Sequence, residues 1–100
     1  MKPISVYSEA EAEFRAAITY YEQQRQGLGD EFRLAVQRAI GRVQRSPQAF
    51  PLHGDQGVRK YLVRRFPYTV FFLELEEAIW VVAVAHQRRR PGYWSERQLE

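Results

Sequence analysis

The chain contains no cysteine. That excludes a disulfide scaffold, a cysteine-based zinc site and a thiol nucleophile, and it carries no mark of export. Histidine is almost as scarce. His53 and His86 stand alone, with no partner at ligand spacing, so neither a metal nor any other cofactor is expected. Long apolar runs are missing as well. No window approaches the roughly 18 residues a membrane span needs, and Met1–Tyr7 holds no apolar stretch of signal-peptide length. These absences point to a soluble, cytoplasmic protein in a reducing compartment, without membrane contact. Charge of either sign is not in large excess: 15 Lys+Arg stand against 12 Asp+Glu, a net charge of +3. Internal repeats, linkers and low-complexity segments are absent.

What is present describes a globular chain. A hydrophobic share of 45% and an aromatic share of 14% are too rich for disorder. One hundred residues fit one domain spanning 1–100. A chain of this size buries about 65% of the surface its unfolded form exposes, enough for a core without staples. The small basic surplus is focused. Residues 57–68 carry Arg59, Lys60, Arg64 and Arg65 with no acid, and residues 86–94 carry Arg88, Arg89 and Arg90 with no acid. Such clusters suit an acidic or polyanionic partner.

Ile4–Tyr7 alternates and is β-prone, so it reads as a short strand. Ser8 with Glu11 three residues on forms a candidate capping box for a first helix over 9–26. Glu9, Glu11 and Glu13 suit that helix's positive end. Ala10, Phe14, Ala17, Ile18 and Tyr21 share one face, and Gly27 is the expected stop. Gly29 or Asp30 then caps a second helix, with Phe32, Val36, Ala39, Ile40 and Val43 on one face and Arg38, Arg42 and Arg45 opposite. Ser46-Pro47 ends it. Residues 46–57 read as a loop. Val58–Arg65, Tyr68–Glu74 and Ile79–His86 read as strands, with Phe66-Pro67 interrupting the first two and Glu76–Ala78 as a turn. Ile79–Ala85 is apolar on both faces, which suits a central strand. The tail Ser95–Glu100 reads as a frayed end or a short helical turn. The order is β-α-α-β-β-β, an α+β domain with an N-terminal strand, an αα-hairpin and a three-stranded antiparallel sheet.

Standard catalytic signatures are missing. Gly27-Leu28-Gly29 is too short for a phosphate loop, and no Ser stands in a nucleophile elbow. Three basic features remain, each with two readings. The Arg38, Arg42, Arg45 stripe is either a solvated helix face or an electrostatic surface. The Arg59–Arg65 run is either a charge-protected edge strand or an anion-facing sheet surface. In His86–Trp94, Arg88, Arg89 and Arg90 suit phosphate or carboxylate. Tyr93 and Trp94 there are either a lid on the core or a platform for stacking bases. His86 is either a hydrogen-bonded strand end or a general base.

Taken in order, Ala17–Glu22, Gly27–Phe32, Ser46-Pro47 with Phe50-Pro51, Val58–Lys60, Arg65–Tyr68, and Val82–His86 running into Arg89-Arg90-Pro91 and Tyr93-Trp94 carry a resemblance. The chain resembles the ParE/RelE superfamily of type II toxin–antitoxin toxins, on the ParE-like plasmid-stabilisation branch. The resemblance covers nearly the whole chain. It implies a growth-inhibiting toxin neutralised by a cognate antitoxin, whose flexible C-terminal segment wraps the toxin as a helix and an added strand. An oligomer with that antitoxin is part of the same expectation. ParE-like members inhibit DNA gyrase. RelE-like members are endoribonucleases that cleave mRNA on the ribosome. By that nuclease alternative, His86, Arg65 and Tyr93 are the catalytic set, and Arg59, Arg65 and Arg89 clamp the phosphate. Arg59, Arg64, Arg65, Arg89, Arg90 and Trp94 are the candidate target- or phosphate-binding residues on either branch. The His86–Trp94 ending is typical of ParE-like members, and no carboxylate is placed as a base in the sheet, so the expectation tilts to a non-enzymatic inhibitor. A third alternative is a non-toxic relic that only binds its antitoxin.

Overall fold

The computed structural model describes residues 1–97. The chain runs β1 (Ile4–Val6), α1 (Ser8–Gln24), α2 (Leu28–Arg45), β2 (Arg59–Leu62), β3 (Tyr68–Glu74) and β4 (Ile79–His86). Single-turn 3-10 helices lie at Pro47–Ala49 and Tyr93–Glu96. This is the expected α+β order, and β3 and β4 have the expected bounds. Of the expected tail, residues 98–100 lie outside the described residues.

The sheet order is β1-β4-β3-β2. β2, β3 and β4 form the antiparallel meander, and β1 adds to the far side of β4 in parallel, pairing Ile4 with Ile79 through Val6 with Val81. Parallel partners need a long crossover, and the αα-hairpin is the first part of it. β4 is therefore central over its first half, which explains its two apolar faces.

Four local readings are corrected. Ser8 does not cap α1. It is already helical, Tyr7 is the cap residue, and the Glu11 N–H donates to the Tyr7 carbonyl at 2.9 Å. Gly27 does not stop α1, which ends at Gln24; it precedes α2. The first N–H groups of α2 are satisfied from α1 instead of by Gly29 or Asp30. The Glu22 carboxylate accepts from the Gly27 N–H at 2.9 Å and from the Gly29 N–H at 3.0 Å. β2 stops at Leu62, short of Arg65, because Arg65 takes a left-handed φ of 74° and turns the chain.

The helices cover one face of the sheet. Phe32 is fully buried at the centre, with Phe66, Tyr21 and Tyr68 rings 4.9–5.1 Å away. Val36, Val70, Val81 and Val84 complete this layer. The register between β3 and β4 shifts at Phe71/Phe72. The shift places Val82 and Ala83 together on the opposite face, where they join Val58, Phe71, Ala85 and Trp94 in a second core. The two helices approach closely at Gly29, where an added Cβ would lie 2.6 Å from the Ile18 carbonyl oxygen.

That approach generates a prediction. Gly29→Ala costs about 1–3 kcal/mol through overpacking, read as a fall in Tm of roughly 4–8 °C per kcal/mol. Gly41→Ala, in the open middle of α2, raises stability by about 0.5–1 kcal/mol. Thermal melts of the two variants side by side check the assignment.

Candidate functional site

β1 pairs with β4 only through Val81, so the outer edge of β4 continues to His86 with no strand beside it among the described residues. Side chains take the place of a strand there. Glu13 of α1 accepts the Val84 N–H through Oε1 at 3.1 Å. Arg97 donates through Nη1 to the Val82 carbonyl at 2.7 Å. The two charges pair with each other twice, Nη1 to Oε1 at 3.1 Å and Nη2 to Oε2 at 2.7 Å. Tyr93 completes the cluster by donating its hydroxyl to Glu13 Oε2 at 2.5 Å. The side chains of Arg97 and Glu13 are only 14% and 16% exposed, so these bonds are sheltered from solvent. Burial, then the bond to Glu13, pushes the Tyr93 phenol well above its usual range.

This cluster sets the course of the C-terminal segment. After His86 the chain turns, with the Arg89 N–H donating to the His86 carbonyl at 3.0 Å, and reaches the Tyr93–Glu96 turn. Tyr93 goes to the α1 side. Trp94 goes to the other face of the sheet and lands on Phe71 and His53, with ring centroids 5.1 and 5.8 Å away. Trp94 is 3% exposed. Of its two readings the structure takes the lid: the indole covers the second core. Its buried Nε1 has no hydrogen-bond partner among the described residues.

Two clefts flank the end of β4 and share His86, Arg89 and Tyr93. One, of about 160 Å³, lies over the outer sheet face between Lys60, His53 and Arg90. The other, of about 340 Å³, lies between α1 and β4, with Ala16, Tyr20 and Tyr68 on its walls. Arg89 stacks on Tyr93, its guanidinium carbon 3.9 Å from the ring centroid. Of the candidate residues, His86, Arg89, Arg90, Tyr93 and Trp94 are thus brought together. Arg59, Arg64 and Arg65 are not part of that group. Arg59 donates to the Phe50 carbonyl at 2.7 Å and ties down the loop before β2. Arg64 and Arg65 line a different cleft, beside α2, where Arg65 pairs with Glu31 at 2.8 Å. Neither Arg59 nor Arg65 borders the clefts that His86 lines, so the expected clamp of Arg59, Arg65 and Arg89 is not assembled.

The protonation geometry limits what His86 does. Its Nδ1 accepts the Arg88 N–H at 3.0 Å. In neutral imidazole one nitrogen accepts and the other bears the proton. With Nδ1 accepting, Nε2 carries hydrogen and presents a donor. The ring also packs edge-on against Tyr68, 5.2 Å between centroids. Among the described residues no group of three or more His, Cys, Asp or Glu is placed to hold a metal ion. No helix among them is long and apolar enough to cross a membrane.

Sequence reasoning missed Glu13 and Arg97. Glu13 was grouped with the helix-dipole acids, and Arg97 lay in the expected frayed end. Their pairing spans 84 positions, and no local pattern announces it.

The family model described as "ParE toxin of type II toxin-antitoxin system, parDE" matches residues 4–91. The chain belongs to the ParE toxin family. Membership implies a cognate antitoxin. A solved structure of the chromosomal ParDE toxin–antitoxin system from P. aeruginosa superposes with a TM-score of 0.66 at 19% identity, over 86% of this chain and 96% of that one. That likeness establishes the ParE fold. No curated protein matches the chain. The ParE match ends at Pro91, so Tyr93, Trp94 and Arg97 lie past it.

The edge cluster generates a prediction. Glu13→Ala strips the partner from Arg97, Tyr93 and the Val84 N–H together, and costs about 2–4 kcal/mol. Tyr93→Phe removes one bond and costs about 1 kcal/mol. Urea denaturation of both variants measures the order. A Glu13→Ala cost inside the surface range of about 0.5 kcal/mol contradicts the cluster.

Proposed function

We propose that this ParE-family chain is a non-enzymatic toxin that inhibits DNA gyrase and is neutralised by a cognate antitoxin. One observation carries the reading. The groups an RNA-cleaving site would use are already engaged: His86 Nδ1 by the Arg88 N–H and the Tyr93 hydroxyl by Glu13. Arg65 sits in another cleft, paired with Glu31. Cleavage at a ribose 2′-OH needs a free general base within reach of the hydroxyl. A donor Nε2 and a phenol held far above its usual range are poor proton-transfer groups. They are good groups for holding a partner surface, where Arg and aromatic side chains dominate.

Neutralisation follows from the same region. The α1–β4 cleft is lined by the aromatic Tyr20, Tyr68 and Tyr93 together with Ala16, Ala17 and Val84, a lining that suits the apolar face of a helix. The P. aeruginosa structure is of a ParDE toxin–antitoxin system. The antitoxin of this chain, seated in that cleft, covers His86 and Arg89 and keeps them from gyrase.

The test is a supercoiling assay with purified gyrase and no ribosomes. The expected result is loss of supercoiling activity on adding the chain, restored by the antitoxin. His86→Ala retains growth inhibition in cells. Unchanged supercoiling, with cleavage of mRNA on ribosomes lost in His86→Ala, overturns the reading in favour of the nuclease.

A further inference from the structure

Helix α2 exposes Arg38, Arg42 and Arg45, four and three positions apart. Like charges at these spacings weaken a helix, and none of the three forms an ion pair among the described residues. The fold brings a second basic pair to the same side. Arg64 and Arg65 come from the β2–β3 turn, and with Arg38 and Arg42 they line one cleft of about 230 Å³.

Consecutive residues of an extended strand point to opposite sides. Arg64 and Arg65 line the same cleft because Arg65 adopts a left-handed φ of 74°. It is the sole non-glycine residue with positive φ among the described residues, a conformation an arginine adopts only under constraint. Glu31, the one acid on the cleft wall, is already neutralised by Arg65 at 2.8 Å and Arg25 at 3.3 Å. Arg38 and Arg42 also border a shallow depression of about 420 Å³ that continues to Arg45 over Gly41. A Cβ at Gly41 would meet only the tip of Arg45, at 3.9 Å. Packing does not demand the glycine there, and its effect is to leave the backbone of α2 open to close approach.

The two depressions form one cationic track. Its apolar lining is small: Ala35, Ala39 and the edge of Tyr61, with Leu34 at the rim. An amphipathic peptide helix needs apolar anchors at i, i+3 and i+4 seated in hydrophobic pockets, and the track offers none of that depth. Single-stranded nucleic acid needs exposed aromatic platforms. Tyr61, the one ring present, is packed against Phe50 at 4.8 Å. Guanidinium groups at successive turns, about 6 Å apart along a helix for an i,i+4 pair, suit successive phosphates of a duplex, which they bind bidentately.

We propose that this track binds the sugar–phosphate backbone of duplex DNA without reading its sequence. The site is separate from the clefts at His86 and does not depend on gyrase being the target. Fluorescence anisotropy of the full chain with a labelled duplex tests it. With four phosphates neutralised, log K falls with log salt at a slope of about −3 to −4 over about 50–200 mM. Arg38→Ala with Arg42→Ala weakens binding about tenfold or more and flattens the slope by about 2. Arg15→Ala with Arg33→Ala removes the same charge from outside the track and stays within about twofold of the parent. Arg64→Ala, a single change in the turn, weakens binding in the same sense. Melting curves confirm that each variant is folded. Equal weakening by the two double variants overturns the proposal, because binding then reflects net charge alone. No duplex binding, with capture of a poly-glutamate peptide instead, also overturns it and assigns the track to an acidic protein segment.

Discussion

A strand edge inside a folded protein exposes N–H and C=O groups that must find partners. In this toxin β1 is three residues long and leaves the second half of β4 uncovered. Glu13 and Arg97 complete that edge, one accepting and one donating, and they also pair with each other. Much of the C-terminal region depends on this arrangement. It anchors the chain after the Tyr93–Glu96 turn, seats Tyr93 against α1, and so aims Trp94 at the second face of the sheet. Without that lid, Phe71, Val82 and Ala85 would face water, since the helices cover only the other side. The same anchoring holds Arg89 over Tyr93 and sets His86 between two clefts.

The anchoring also separates the basic residues by role. Arg59 serves the loop through the Phe50 carbonyl, and Arg97 serves the strand edge. Arg89 and Arg90 border the clefts at the end of β4, while Arg64 and Arg65 join the arginines of α2. A net charge of +3 is modest, but the fold sorts it into two surfaces on different elements. That sorting leaves two cationic surfaces of different surroundings, one bordered by aromatic rings and one along α2.

Helix α2 was legible because its burial follows its own sequence spacing, and β3 and β4 because their unbroken apolar runs are buried on both faces. Phe32, Val36 and Val43 fall inward as the 3.6-residue pattern requires. Helix ends were less legible, since the first N–H groups of α2 are satisfied by Glu22 from the neighbouring helix, a tertiary contact with no local signature. The parallel pairing of β1 was invisible for the same reason. Within the candidate site, the grouping of His86, Arg89, Arg90, Tyr93 and Trp94 followed from their closeness in the chain. The separation of Arg65 from His86 and the burial of Trp94 did not. Both depend on backbone turns, at Arg65 and after His86, that composition does not encode.

A side-chain carboxylate stands in for a strand at Val84. Amide hydrogen exchange on the folded toxin reads this directly, because the Val84 N–H has no backbone acceptor on that edge and owes its protection to Glu13. Val84 is expected to exchange as slowly as the amides of the β3–β4 ladder. Exchange of Val84 at the rate of exposed loop amides such as Gly54, while the ladder stays protected, would contradict it.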